Sequence, residues 1–202
     1  GGGSDGDDVL LYQIPDRSSC ATCHGEAPAA VLGVATRQLN GPGNYGRNRT
    51  NQIDAMDAIG LFGDTRGPKA LAELPRLAGP TDKNASLEER ARSYLDTHCA
   101  ACHQPGGWTS PEITFDLRVE TPFAETQLCG ERALFPYPAN TGDYRIDPGR
   151  PDNSNLLGRL SVEGVGEVGE MPPLGRSTVD PVGTALIRDW IRSLEGCPEP
   201  DQ

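Results

Sequence analysis

The chain repeats one five-residue pattern, in which two cysteines three positions apart are followed at once by a histidine. The pattern occurs as CATCH, with Cys20, Cys23 and His24, and again as CAACH, with Cys99, Cys102 and His103. Cysteines at this spacing lie about one helical turn apart, so both thiols face the same side. They can form thioethers with the two vinyl groups of one haem, and the histidine can ligate its iron. The pattern therefore predicts two covalently bound haem c groups.

Other uses of paired cysteines fit the sequence less well. A zinc site would need the two pairs closer together than 20–23 and 99–102. A thioredoxin-like redox pair is expected once, among alternating strands and helices, which the sequence does not show. Structural disulfides could use all six cysteines, but they would not explain the histidine after each pair.

Two cysteines, Cys129 and Cys197, stand outside the repeated pattern, and no histidine follows either. Four thioethers to haem leave this pair over, and an oxidising compartment would close it as a disulfide. Such a bond would join the end of the last predicted helix to a central loop. The alternative is two unpaired buried thiols.

The second haem needs one more axial ligand, and Met171 in GEMPPLG is the expected one. The two prolines after it stiffen an extended loop that can hold a thioether against iron. Methionine ligation stabilises ferrous iron and raises the potential. The order of motif helix, loops, methionine loop and closing helix is that of a class I cytochrome c.

The sixth ligand of the first haem stays open between three possibilities. Met56 follows His24 on a predicted helix face, although it could equally be a core residue beside Ile53 and Ile59. His98 precedes the second cysteine pair and is the alternative ligand. The third possibility is an open or labile position.

Composition indicates how the core is built, and the net charge limits the classes of partner. The chain is 36% hydrophobic and 5% aromatic, with 25 glycines and 18 prolines, which is typical of a loop-rich chain whose core is partly supplied by cofactors. Its net charge of −11 argues against nucleic acid and against an anionic membrane surface. We expect redox protein partners with a basic docking surface; the alternative is an acidic surface that serves only the solubility of the chain.

The predicted organisation is mostly α and loop-rich, with two cytochrome c-like haem modules in one chain. Residues 1–11 form a flexible tether, 12–80 the first haem module and 81–202 the second. The clearest predicted helices span 86–103, with a capping box of Ser86 and Glu89, and 180–196, which starts at Asp180 and Pro181. Residues 33–52 are expected as an irregular loop and 112–119 as a short strand.

The first residues, GGGSDGDD, resemble the linker behind the lipidated cysteine of a bacterial lipoprotein, or a cloning remnant. No signal peptide and no apolar run of about 18 residues are present. We expect an exported protein, periplasmic, anchored at the outer membrane or extracellular, with a possible lipid anchor or self-assembly and no transmembrane segment.

Several stretches resemble exported bacterial di-haem c-type cytochromes, and the C-terminal part is similar to haem domains attached to sugar-dehydrogenase-like propellers. They are SLEERARSYLDTHCAACHQPGG, DPGRPDNSNLLGRL, MPPLGRSTVDPVGTALIRDWIRSLEGC and, at the front, YQIPDRSSCATCH with NQIDAMDAIGLF. The resemblance implies that Cys99, Cys102, His103 and Met171 bind the second haem. It implies that Cys20, Cys23 and His24 bind the first. The family commonly has asparagine in place of His98 and no methionine at Met56, so it does not decide the open ligand.

The function that follows is electron transfer by a non-enzymatic di-haem carrier. One alternative is a peroxidase-like haem enzyme with an open first haem. The other is a subunit of an extracellular conductive cytochrome polymer.

Overall fold

The computed structural model describes residues 14–24, 33–46, 48–63, 71–136, 142–163 and 169–200. The predicted tether, 1–11, lies outside the described residues. The α-helices found there are α1 (Arg17–His24), α2 (Thr36–Leu39), α3 (Gln52–Ala58), α4 (Leu87–His98), α5 (Asn155–Leu160) and α6 (Pro181–Ser193). Two strands, β1 (Pro42–Tyr45) and β2 (Asn48–Asn51), pair antiparallel. Short 3₁₀ turns occupy Leu71–Glu73, Phe123–Glu125 and Pro151–Asn153.

Helix α4 begins at the predicted capping box. The Ser86 hydroxyl accepts from the Glu89 N–H at 3.1 Å, and the Glu89 carboxylate accepts from the Ser86 N–H at 2.7 Å. The helix ends earlier than expected, at His98, with Cys99 as its C-cap. The second cysteine pair therefore lies in the turn after the helix and not in its last turn.

Helix α6 packs against α4, and a glycine on α6 lies against the aromatic ring of Tyr94 on α4. The helix starts as predicted, with the Asp180 side chain accepting from the Val182 N–H and Pro181 in the first position. A Cβ atom on Gly183 would lie 2.1 Å from the Tyr94 ring, so only glycine fits beneath that ring.

The described part of the chain has one cluster of buried apolar side chains, and it surrounds these two helices. Its members are Ala91, Leu95, Ala100, Leu117, Phe123, Leu128, Ile146, Leu157, Leu160, Leu186, Ile187, Trp190 and Ile191. All of them follow residue 80. Among the described residues before it, Ile53 is the one buried apolar side chain.

The expected fold class is therefore wrong. The described residues are mostly loops and turns joined by short helices, and no arrangement of two cytochrome c-like modules is evident. The physical reason is the single core, because a second module would need its own set of buried apolar side chains. The boundary near residue 80 stays a prediction.

Two local expectations also differ from the structure. Residues 33–52 contain α2 and the β1–β2 hairpin instead of an irregular loop. Residues 112–119 form no strand, because their backbone bonds go to separate places: the Asp116 N–H donates to the Thr126 carbonyl and the Leu117 N–H to the His103 carbonyl.

Buried Asp96 on α4 ties the segment before residue 80 to the core. One of its carboxylate oxygens accepts from Arg37 Nε at 3.0 Å, and the other accepts from the Val119 N–H at 3.0 Å. Nearby, the Ala78 N–H donates to the Ser93 hydroxyl at 3.0 Å. The early segment thus docks on α4 through polar contacts.

Cys129 and Cys197 form a disulfide with a Cα–Cα distance of 5.5 Å. This is the pair predicted from the two cysteines outside the repeated pattern. It links the segment after α6 to the bridge between Cys129 and Ile146. In the part of the chain that the structure describes, no helix has the length and apolar character needed to cross a membrane.

Candidate functional site

The second Cys-x-x-Cys-His pattern folds as a tight turn directly after α4. The N–H groups of Cys102 and His103 both donate to the Cys99 carbonyl, at 3.1 and 2.9 Å. The chain then turns back over the pattern, where a Cβ atom on Gly107 would lie 2.2 Å from the Cys102 carbonyl oxygen. Neither Cys99 nor Cys102 takes part in the disulfide.

A cavity of about 440 Å³ opens beside this turn. Cys99, His103 and Met171 all line it. The rest of the wall is mainly apolar and includes Ile113, Phe115, Leu117, Leu128, Phe135 and Leu160. Its volume lies in the range of sites that bind organic ligands or cofactors, about 300–1,000 Å³. The structure thus brings three of the predicted site residues to one cavity.

The imidazole of His103 is held neutral at this cavity. Burial, and then the positive charges of Arg159 and Arg145, lower the pKa of His103 to about 4. Its ring stacks on Phe115, with ring centroids 4.4 Å apart and planes inclined by 14°. Its buried Nδ1 has no hydrogen-bond partner among the described residues. A neutral, fixed imidazole is the form that binds a metal.

Cys99 is also a neutral group here. Burial, and then the neighbouring Cys102, raise the pKa of its thiol to about 12. A redox-active Cys-x-x-Cys pair needs a thiol with a lowered pKa. The direction of the shift therefore disfavours thioredoxin-like chemistry at this turn.

The Met171 backbone is held from both sides. Its N–H donates to the Arg159 carbonyl at 3.2 Å, and its carbonyl accepts from Arg176 Nη1 at 2.8 Å. Arg176 also donates to the carbonyl of Leu160, the last residue of α5, and to that of Val162 just after the helix. The loop that carries Met171 is thus attached to the end of α5, and the thioether faces the cavity without a supporting strand.

Three residues of this site, Phe115, Arg145 and Arg159, were missed in the sequence. Arg145 and Arg159 line the cavity together with Phe115. The sequence offered one signal for Arg145, because this arginine stands between Tyr144 and Ile146 and a charged residue in such a setting can mark a ligand-binding position.

The first pattern lies on α1, whose bounds include Cys20, Cys23 and His24. Cys20 is exposed, and the side chains of Cys23 and His24 lie outside the described residues. The beginning of α1, at Asp16 and Ser19, shares a small crevice with the loop that carries Met171. The start of the helix that carries the first pattern therefore lies beside the loop that carries Met171.

The two candidates for the first sixth ligand do not line the cavity. Met56 is half-buried on α3, and Ile59, expected on the same apolar face, is 79% exposed. His98 is exposed, with its ring centroid 4.5 Å from that of Tyr94. Ligation by Met56 or His98 stays a prediction.

The prediction of a metal-binding cytochrome is wrong in one respect, because the described residues contain no cluster of side chains that could ligate a metal ion. Among the described residues, no group of three or more His, Cys, Asp or Glu side chains could hold a metal ion. The physical reason at the Cys99–His103 turn is that burial raises the pKa of the Cys99 thiol, whereas a cysteine ligates a metal as the thiolate. A zinc centre at this turn is therefore not supported.

The residues present do fit a haem. A porphyrin needs an apolar slot, one imidazole and one further axial ligand, and it does not need a cluster of ionic ligands. The cavity offers these as its apolar wall, His103 and Met171, and Cys99 lies at the same wall.

Comparison with known proteins adds no relationship: no family model matches the chain, and neither a curated protein nor a solved structure matches it significantly.

Proposed function

We propose that this protein transfers single electrons through covalently attached haem. Cys99, Cys102 and His103 would hold one haem, with Met171 as the further iron ligand, and Cys20, Cys23 and His24 would hold another. The observation that carries the proposal is the convergence of Cys99, His103 and Met171 on one apolar cavity. The repeated pattern supports the second group.

When bound, haem supplies an iron that gains or loses one electron. The chain contributes the environment. His103 presents a neutral imidazole that Phe115 keeps in one plane. Met171 presents a thioether, which favours the ferrous state, and the apolar wall excludes water.

The net charge and the disulfide indicate the kind of redox partner and the compartment. A net charge of −11 favours a basic redox partner and speeds its approach at low salt. The Cys129–Cys197 disulfide is typical of a protein that works in an oxidising compartment, which supports export.

The first test is haem content and ligation in the holoprotein. We expect a pyridine haemochrome assay to give two c-type haems per chain, and near-infrared spectra to show methionine-to-ferric charge transfer. Met171→Ala should remove that band from the second haem, and Met56→Ala is the matched variant for the first. Absence of covalent haem from the chain would contradict the proposal. A high-spin signal that shifts on adding cyanide would favour the alternative, a peroxidase-like haem enzyme with an open first haem.

A further inference from the structure

Arg145 is a half-buried cation beside an apolar cavity. Its guanidinium lies 5.0 Å from the centroid of the Phe115 ring, and its Nη1 donates to the Gln127 carbonyl at 2.7 Å. Within the ranges that the structure describes, no carboxylate forms an ion pair with Arg145, although the charge of Glu131 acts on it from beyond pairing distance. A partly buried cation that no carboxylate contacts is costly, so a bound anion would stabilise it.

Arg132 shows how the same chain treats an arginine that faces water. Its guanidinium also lies over an aromatic ring, 5.6 Å from the centroid of Tyr144. However, Arg132 pairs with Asp143 at 2.9 Å, and its side chain is 71% exposed. The contrast indicates that the missing partner of Arg145 belongs in the cavity.

Arg159 brings a second guanidinium to the same cavity. Its Nε donates to Asn155 Oδ1 at 3.0 Å, and its Nη1 donates to the Gly169 carbonyl at 3.1 Å. These bonds fix the side chain in place. Two cations on one cavity wall stand out in a chain with a net charge of −11.

We propose that Arg145, with Arg159 beside it, binds the carboxylates of the ligand in this cavity. This inference rests on the proposed function, under which those carboxylates are the haem propionates. Guanidinium groups suit carboxylates because their N–H donors match both oxygens. Arg145 is then a positioning residue that sets the orientation of the porphyrin.

The same arginine acts on the axial ligand through a stack. Arg145 covers Phe115, and Phe115 covers His103 with ring centroids 4.4 Å apart. The stack holds the imidazole plane and places positive charge close to the imidazole that would ligate the iron. Positive charge there favours the reduced state, so Arg145 raises the midpoint potential.

The test compares Arg145→Gln, Arg145→Lys and the matched control Arg132→Gln in the full-length holoprotein. The readouts are the midpoint potential of the haem whose charge-transfer band Met171→Ala removes, and the resonance Raman bending mode of the propionates. We expect Arg145→Gln to lower the potential and shift the mode. Arg145→Lys should keep the potential near wild type, and Arg132→Gln should change neither readout.

The pH dependence of the potential tests the same contact without relying on one variant. In the wild type the paired propionates stay ionised, so we expect a flat potential from about pH 5 to about pH 8. In Arg145→Gln the potential should fall as the pH rises through that range. A sloping wild-type profile, or equal behaviour of Arg145→Gln and Arg132→Gln, would overturn the inference. Absence of haem from the wild type would instead overturn the proposed function.

Discussion

Single side chains decide how α4 starts and therefore where the second Cys-x-x-Cys-His pattern is presented. The Glu89 carboxylate accepts a hydrogen bond from the Ser86 N–H, and this bond lowers the pKa of Glu89 below its ordinary value of 4.5. A carboxylate whose pKa is lowered in the folded state stabilises the fold above its unfolded pKa. That stabilisation is lost as the pH falls through the folded value.

We expect Glu89→Ala to lower Tm at about pH 6.5 and to cost progressively less as the pH falls below about 4.5. Thermal unfolding followed by circular dichroism at several pH values measures this. Glu88→Ala is the matched control, because Glu88 carries the same charge in the same turn but has no part in the capping box. Equal, pH-independent losses in both variants would contradict the capping box as the cause.

At the scale of elements, the crossing of α4 and α6 organises the core around the cavity. Ala91 and Leu95 on α4 and Ile187 and Ile191 on α6 are fully buried in the same core cluster. Gly183 sets how closely the helices approach, because the Tyr94 ring occupies the space where a Cβ atom would lie. The position of the Cys99–His103 turn at the end of α4 depends on this packing.

Gly183→Ala should therefore destabilise the fold. Overpacking costs about 1–3 kcal/mol, and the better helix propensity of alanine returns about 1 kcal/mol. We expect a net loss of about 1 kcal/mol in urea unfolding, and a smaller loss in a Tyr94→Leu background. Gly79→Ala, at an exposed site with no atom within 4 Å of the added Cβ, should change little. Equal stability of Gly183→Ala and wild type would argue against the close approach.

At the scale of the whole molecule, polar contacts and one covalent bond hold the segments that the core does not. Asp96 attaches the segment before residue 80, through Arg37, to α4. The disulfide attaches the chain after α6 to the Cys129–Ile146 bridge, next to Leu128 and Arg145 of the cavity wall. Both attachments join parts that are far apart in sequence.

Asp96→Ala should release the early segment. The Asp96 side chain is 1% exposed, and its removal leaves the Val119 N–H without its acceptor and Arg37 with only the exposed Glu120 carboxylate at 3.7 Å, at a cost of about 2–4 kcal/mol. Limited proteolysis should then cut residues 33–80 faster. Asp143→Ala, which breaks an exposed pair with Arg132, is the control and should cost about 0.5 kcal/mol or less. If both variants resist protease like wild type, Asp96 is not the attachment.

The double variant Cys129→Ala, Cys197→Ala should lose about 2–5 kcal/mol, because the disulfide closes a long loop and restricts the unfolded chain. Chemical denaturation with and without reductant measures the loss. Reductant should destabilise the wild type by a similar amount and leave the double variant unchanged. A wild type whose stability is the same oxidised and reduced would show that the bond contributes nothing.

Helix caps and other local features could be predicted from the sequence because they depend on residues that are close together along the chain. The capping box of Ser86 and Glu89 and the start of α6 at Asp180 and Pro181 are of this kind, and the structure contains both. The pairing of Cys129 with Cys197 followed from counting, since each remaining cysteine belonged to a repeated pattern. Met171 was identified by its stiff loop, and it lies on the cavity.

Only the tertiary structure decided which segments share a core and which charges face the cavity. The end of α4 at His98, the single cluster after residue 80 and the stack of His103, Phe115 and Arg145 all arise from contacts between distant positions. No local periodicity encodes such contacts, because burial depends on what the rest of the chain places opposite a residue. For that reason the capping box and the Cys129–Cys197 pair could be predicted from the sequence, whereas the two-module fold was wrong and Arg145 was missed.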